Sequence, residues 1–245
     1  MNERARKAQD CLKAAKLLYS RFLVNAYEGN VSVRLGDTIL VTPSAVCKEE
    51  LEEDDLVEVD IASGATVAAK PGRVASSETK MHLCVYRNRA DVQGVAHAHP
   101  PFATAYAVAG MPIETAAYAE MRVLYDRIPI CRYGRPGTEA VNVDIPEVLK
   151  THDVFLLSNH GLVACGPSAV TAAYRLEGVE SIAKVLTLAQ LHGAESALPR
   201  AELEALREAY SSVEASADPA RVQEVCGQCG AVLRRVGGAR GRPSE

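Results

Sequence analysis

The chain has 245 residues, with 27 Lys and Arg against 31 Asp and Glu, for a net charge of −4. Hydrophobic residues make up 48% and charged residues 24%, an ordinary globular balance that excludes extensive disorder. The acidic charge leaves no basic footprint for nucleic acid, and no apolar run approaches the roughly 18 residues that a membrane span needs. The charged opening residues 1–7 lead into no apolar segment of the signal-peptide kind, and seven thinly spread cysteines suit reduced thiols, so a cytoplasmic protein with no membrane partner is expected.

Residues 3–24 carry apolar side chains at Ala8, Cys11, Leu12, Ala15, Leu18, Tyr19 and Phe22, a helical period. After punctuation at 25–30, residues 31–35 alternate as a half-buried strand and form a hairpin with 38–42 across Gly36-Asp37. The acidic run 49–55 predicts a solvated turn before a strand at 56–61. Ser76-Ser77-Glu78 predicts a helix start, serines suiting the cap and an acid the first turn, with the helix running to about residue 88. A buried strand follows at 92–99, closed by Pro100-Pro101, then a helix at 102–109. Strands are expected at 128–130, 154–157 and 162–165. Gly166-Pro167-Ser168 introduces a long helix whose stripe of Val170, Ala173, Tyr174, Ile182, Val185, Leu186 and Ala189 faces the core. Beyond about residue 212 the composition turns to Ser, Ala, Arg and Gly. The expected organisation is one domain over 1–212 and a tail over 213–245, with a short helix near 219–225.

Two constellations carry chemistry. In His97-Ala98-His99 the two imidazoles lie at i and i+2 of a strand and so share one face. A third, His160, sits in an Asn-His-Gly turn, and Glu78 at a helix start is able to complete a four-coordinate set. A His-x-His alone reads equally as a hydrogen-bonded strand pair. The second constellation is Gly29-Asn30, Ser44 and Ser76-Ser77, small donor-rich positions that read either as ordinary caps and turns or as a phosphate cradle built from hydroxyls, an amide and helix N-terminal N–H groups.

Five motifs in order, Gly29-Asn30-Val31-Ser32-Val33-Arg34, Thr42-Pro43-Ser44, Ser76-Ser77-Glu78-Thr79, His97-Ala98-His99-Pro100 and Ser158-Asn159-His160-Gly161, resemble the class II aldolase/adducin family over about residues 8–195. The resemblance implies an α/β fold, a central, mainly antiparallel sheet flanked by helices in three α/β/α layers, with the catalytic domain over 1–212. It implies Zn2+ held by Glu78, His97, His99 and His160, Mn2+ and Co2+ being ions that imidazole-rich ligation also suits. It further implies a substrate phosphate on Gly29, Asn30, Ser44, Ser76 and Ser77, and catalysis by Glu78 together with a Tyr133 lent to a neighbouring subunit of a homotetramer. The implied reaction is reversible cleavage of a ketose 1-phosphate to dihydroxyacetone phosphate and an aldehyde. Epimerases, dehydratases and decarboxylases of sugar phosphates share the metal site and remain alternatives, as does an adducin-like structural protein without metal. Glu at position 78, where epimerases resembling this pattern usually carry Asp, favours the aldolase.

This chain departs from the family at Ala26-Tyr27-Glu28, where Gly-Thr is common, at Ala45 and at Val74-Ala75. All three touch the phosphate pocket and bear on which sugar phosphate fits. His82 lies one helical turn after Glu78 and either orients it or packs in the core, and packing is the expected role. His152 and His192 receive no role, and Glu120 is expected to make a salt bridge rather than line an aldehyde pocket. Cys226 and Cys229 form half of a metal site and no more.

Overall fold

A computed structural model describes residues 2–193, 195–206 and 208. The tail at 213–245, with its expected helix and the Cys226 and Cys229 pair, lies outside the described residues. In chain order the elements are α1 (Glu3–Ser20), β1 (Asn30–Leu35), β2 (Thr38–Val41), β3 (Val57–Asp60), β4 (Thr66–Ala68), α2 (Thr79–Asn88), β5 (Gly94–Ala98), α3 (Pro101–Val108), α4 (Ala119–Leu124), β6 (Ile130–Cys131), α5 (Ile145–Val148), β7 (Val154–Leu157), β8 (Gly161–Gly166) and α6 (Ala169–Leu191). The strands form one eight-stranded sheet in the order β4-β3-β2-β1-β5-β8-β7-β6. Every pairing is antiparallel except that of β6 with β7.

Alternation along the strands divides the core into two layers. Val31 and Val33 of β1 and Ala96 and Ala98 of β5 join α1, α3 and α6 in one apolar cluster. Val95 of β5 and Val163 and Cys165 of β8 join α2 and α5 in the other. The expected three-layer α/β/α architecture is the one observed. No helix among the described residues is long and apolar enough to cross a membrane, and the five described cysteines are unpaired.

Several local expectations change. Helix α1 stops at Ser20, and Phe22, expected on its apolar face, adopts φ +57° and is 85% exposed. Helix α2 begins three residues after Ser76, with Glu78 at the N-cap. The buried face of α6 keeps Ala173, Ile182 and Leu186 of the expected stripe but is wider than it. Ala172, Leu176, Val179 and Ala183 are also buried, whereas Val185 is exposed, because α1, α3 and the sheet all pack against this helix. Ile128 makes a single bridge to Ile113, and the strand proper is Ile130–Cys131. Short β4, α4 and α5 have no distinct sequence period and were not expected.

The acidic run is also more than a solvated turn. Asp55 is buried, and its carboxylate accepts from the Glu52 backbone N–H at 3.0 Å and from Arg73 Nε at 2.7 Å. Arg73 leads into the segment where Ala75 bridges Pro43, so this ion pair ties the serine-bearing loop to the end of the sheet. Burial works to raise the Asp55 pKa, but the Glu52 N–H and Arg73 outweigh it and hold the carboxyl below its ordinary 3.8. A carboxyl whose folded pKa is depressed adds stability above its unfolded pKa and loses it as pH falls through the folded value. Asp55→Asn is therefore expected to destabilise the protein by about 2 kcal/mol at neutral pH. In urea titrations the gap between wild type and variant should close below pH 3.8.

Candidate metal centre

Three sheet connections bring the histidines and the acid together. Antiparallel pairing sets Asn30 opposite His97 and His97 opposite Val163, so β1, β5 and β8 meet at one level. His97 belongs to the face of β5 that carries Val95, the α2 side of the sheet, and it is fully buried. His99 lies just beyond the strand end. His160 arrives on the turn between β7 and β8, where Asn159 takes φ +55° and its N–H donates to the Ala107 carbonyl. Glu78 arrives at the start of α2 from the same side.

The donor atoms point at one another. His97 Nε2 is 3.0 Å from His99 Nε2 and 3.1 Å from Glu78 Oε2, and His160 Nε2 is 3.1 Å from Glu78 Oε1. All four donors lie within 4.8 Å of one another. A tetrahedral centre with bonds near 2.0–2.1 Å separates its donors by roughly 3.3 Å, so this spacing matches a donor set around one small cation. The partners behind the donors agree. His97 Nδ1–H donates to the Leu162 carbonyl at 3.0 Å, which leaves the Nε2 lone pair directed at the centre. His99 Nδ1 faces the Glu28 carboxylate at 3.6 Å. His160 Nδ1 is buried with no partner among the described residues. The residues therefore fit a divalent ion on both donor chemistry and orientation.

Two glycines make room for this convergence. A Cβ on Gly161 would stand 2.6 Å from both the Ala98 carbonyl oxygen and His99 Cδ2. Gly29 has φ +69°, and a Cβ there would stand 2.8 Å from the His97 carbonyl oxygen. Both are close approaches of backbone to the histidine strand rather than loop flexibility.

The site is strongly polarised. Burial acts to raise the Glu78 pKa, but the adjoining His97 and His160 dominate and hold the carboxyl well below the usual carboxylate range. Burial opposes charge on His97, yet Glu78 outweighs it and the pKa rises. Burial, then the neighbouring His97 and His160, push His99 down to about 4. A positive charge placed among these groups answers the carboxylate and spares the imidazoles from protonation.

The other expected residues lie in three places. Ser44 and Ser76 stand on facing segments, with Ser44 N–H donating to the Val74 carbonyl, Ser76 N–H to the Thr42 carbonyl, and Ser44 Oγ–H to the Ala75 carbonyl at 3.2 Å. Ser77 is exposed beside them, and Ser76 Oγ accepts from the Glu78 N–H at 3.3 Å. The serines thus border the start of α2 next to the acid. Asn30 directs its amide inward: Nδ2–H donates to Glu78 Oε2 at 2.9 Å and Oδ1 lies 2.5 Å from His82 Nε2. Tyr133 follows β6, 61% exposed and outside the cluster. Glu28, read from the sequence only as a departure from a pattern, proves to be the acid behind His99; its position next to Gly29 was the available signal. Glu120 is exposed on α4.

Residues 9–187 match the family described as Class II Aldolase and Adducin N-terminal domain, and the chain belongs to that family. It is 32% identical over 177 residues to an L-fuculose phosphate aldolase of Methanocaldococcus jannaschii, spanning 72% of this chain and 93% of that protein. It is 29% identical over 193 residues to a 3-oxo-tetronate 4-phosphate decarboxylase of Pectobacterium atrosepticum, spanning 76% of this chain and 86% of that one. A solved L-fuculose 1-phosphate aldolase superposes with a TM-score of 0.76 at 29% identity, covering 86% of this chain and all of the other. The family is thereby fixed, while relatives of similar identity carry out different reactions.

Gly161→Ala should separate site from fold. Its Cβ would press on His99, so metal affinity is expected to fall by about 10-fold or more, with a loss of stability of about 1–3 kcal/mol from overpacking. Calorimetric titration with Co2+, beside urea unfolding of the metal-free protein, checks both.

Proposed function

We propose that this chain is a metal-dependent lyase that reversibly cleaves a ketose 1-phosphate, of the L-fuculose 1-phosphate type, to dihydroxyacetone phosphate and an aldehyde. The observation that carries the reading is the convergence of Glu78, His97, His99 and His160 on one point. The four would hold Zn2+, the same donor set also suiting Mn2+ or Co2+. The bound ion supplies Lewis acidity at the substrate carbonyl, so that the electron pair of the breaking C–C bond has somewhere to go without a Schiff-base lysine.

The remaining work falls to side chains. Ser76 and Ser77, with Ser44 across from them, offer hydroxyls and helix-start N–H groups to the phosphate, and Gly29 lets the backbone pass close beneath. Anchoring the phosphate end sets the reacting carbon at a fixed distance from the histidines. In the cleavage direction, a neighbouring subunit's Tyr133 takes the proton from the hydroxyl that becomes the aldehyde. The C–C bond breaks, and Glu78, having taken up a proton from water once substrate has displaced it from His97 and His160, delivers that proton to the carbon left behind. The exposure of Tyr133 supports a role across a subunit boundary, in a homotetramer working in the cytoplasm.

A second reading is decarboxylation of a phosphorylated 3-oxo acid, favoured by the similarity to the Pectobacterium decarboxylase. It uses the same phosphate cradle and the same electron sink, and the bond that breaks releases carbon dioxide instead of an aldehyde. A screen of sugar phosphates and oxo-acid phosphates, scored for both products, distinguishes the two.

Chelation should abolish activity and added divalent metal should restore it. Glu78→Gln is expected to lower kcat by about 10²-fold or more, and Ser77→Ala to raise KM more than it lowers kcat. Full activity of Glu78→Gln in chelator-treated buffer would end the proposal.

A further inference from the structure

Between α2 and β1, in the middle of an otherwise apolar layer, lies a file of polar side chains that ends at Glu78 and whose other members the proposed chemistry does not use. Glu78, His82 and Tyr86 are spaced i, i+4, i+8 along the start and length of α2 and so share one face. Asn30 and Ser32 are spaced i, i+2 on β1 and share the sheet face turned towards it. The two rows interleave. Ser32 Oγ lies 3.0 Å from Tyr86 Oη and 2.6 Å from His82 Nδ1; His82 Nε2 lies 2.5 Å from Asn30 Oδ1; and Asn30 Nδ2 lies 2.9 Å from Glu78 Oε2. His82, Ser32 and Asn30 are all buried, His82 and Ser32 completely.

The direction of every bond follows from its end at the carboxylate. Glu78 is ionised and only accepts, so the amide atom of Asn30 facing it is the nitrogen and the one facing His82 is the carbonyl oxygen. That carbonyl only accepts, so His82 Nε2 carries the proton. Burial, reinforced by the nearby His97, holds the His82 pKa down to about 3, so the ring is neutral and its Nδ1 is an acceptor. Ser32 therefore donates to Nδ1, and its oxygen accepts from the Tyr86 hydroxyl. Tyr86 is itself fixed from the strand, with Arg34 5.0 Å above its ring and donating to its backbone carbonyl at 2.7 Å. Four hydrogen bonds run one way, Tyr86 to Ser32 to His82 to Asn30 to Glu78, with no choice of orientation left in the file.

We propose that His82 is a positioning residue for the candidate metal centre, acting through Asn30 to hold the Glu78 carboxylate in the orientation that meets His97 and His160. A simple packing role is served by a leucine of similar size; a relay needs a ring with one donor and one acceptor on opposite sides. A satisfied buried file of this kind favours a single geometry, and a half-satisfied one loses it. The functional weight of the relay rests on the reading of Glu78 as a metal ligand, while the hydrogen-bond directions stand independently of it.

The test compares the full-length wild type with His82→Leu, which removes both hydrogen bonds, and His82→Gln, whose amide can donate toward Asn30. Metal-stripped proteins are titrated with Co2+ by calorimetry and unfolded thermally without metal, and the imidazole nitrogens of the wild type are read by 15N NMR. The expected result is a neutral His82 protonated at Nε2, a loss of Co2+ affinity of about 10- to 100-fold in His82→Leu, and recovery of most of it in His82→Gln. A His82 protonated at Nδ1, or a folded His82→Leu that binds Co2+ as tightly as wild type with only a lowered Tm, overturns the relay. If His82→Leu does not fold, Ser32→Ala takes its place: weaker Co2+ binding supports the relay, and unchanged affinity overturns it. If the wild type itself binds no Co2+, the metal reading of Glu78 fails, and the NMR tautomer alone decides whether the relay exists.

Discussion

Three imidazole nitrogens and a carboxylate, linked by contacts of 3.0–3.1 Å and all within 4.8 Å of one another, form an arrangement that needs positive charge at its centre. Neutral imidazoles facing each other by their lone pairs repel, and a buried carboxylate without a counter-charge costs several kcal/mol. A protonated histidine answers the acid but leaves the other lone pairs opposed. A divalent cation answers all four donors together. The sheet around the cluster is arranged to sustain this crowding: β5 supplies His97, the β7–β8 turn supplies His160 with a glycine behind it, and the start of α2 supplies the acid.

The same register that gathers the four candidate ligands also places the serine-bearing segments beside them. Asn30 opposes His97 across the β1–β5 pair, while the continuation of β2 through Pro43 meets Ala75 just before the serines. The candidate metal ligands and the serines therefore sit on, or in short segments flanking, neighbouring strands of one sheet. The Asp55–Arg73 pair pins the irregular segment that leads to the serines.

Much of this was legible in the sequence because the governing signals are local. Two histidines two residues apart at a strand end, a small-residue turn around His160 and a Ser-Ser-Glu run leading into a helix each have a fixed spacing. The ordered motifs linked them before any geometry was available. Other features escaped because they are decided by tertiary contact. Phe22 fits the helical period, yet the chain turns back at φ +57° and leaves it in solvent. The buried face of α6 follows what packs on it, and α4, α5 and β4 are too short to show a period. His82 looked like core because burial and i+4 spacing say nothing about hydrogen-bond partners, and nothing local to Asn30 announced the inward hydrogen bonds it makes with Glu78 and His82. Glu28 had only a local irregularity to mark it.

The aldolase and decarboxylase readings share the centre and differ in what the outer pocket admits, so the centre is the claim to test first. X-ray absorption at the metal edge of the Zn2+-loaded protein reads the ligand set without regard to substrate. The account predicts one ion per chain with three imidazole nitrogens and carboxylate oxygen at about 2.0–2.1 Å, and loss of the imidazole signature in His97→Ala. A sulfur-dominated shell, a shell of water oxygens alone, or an unchanged spectrum in His97→Ala would contradict it.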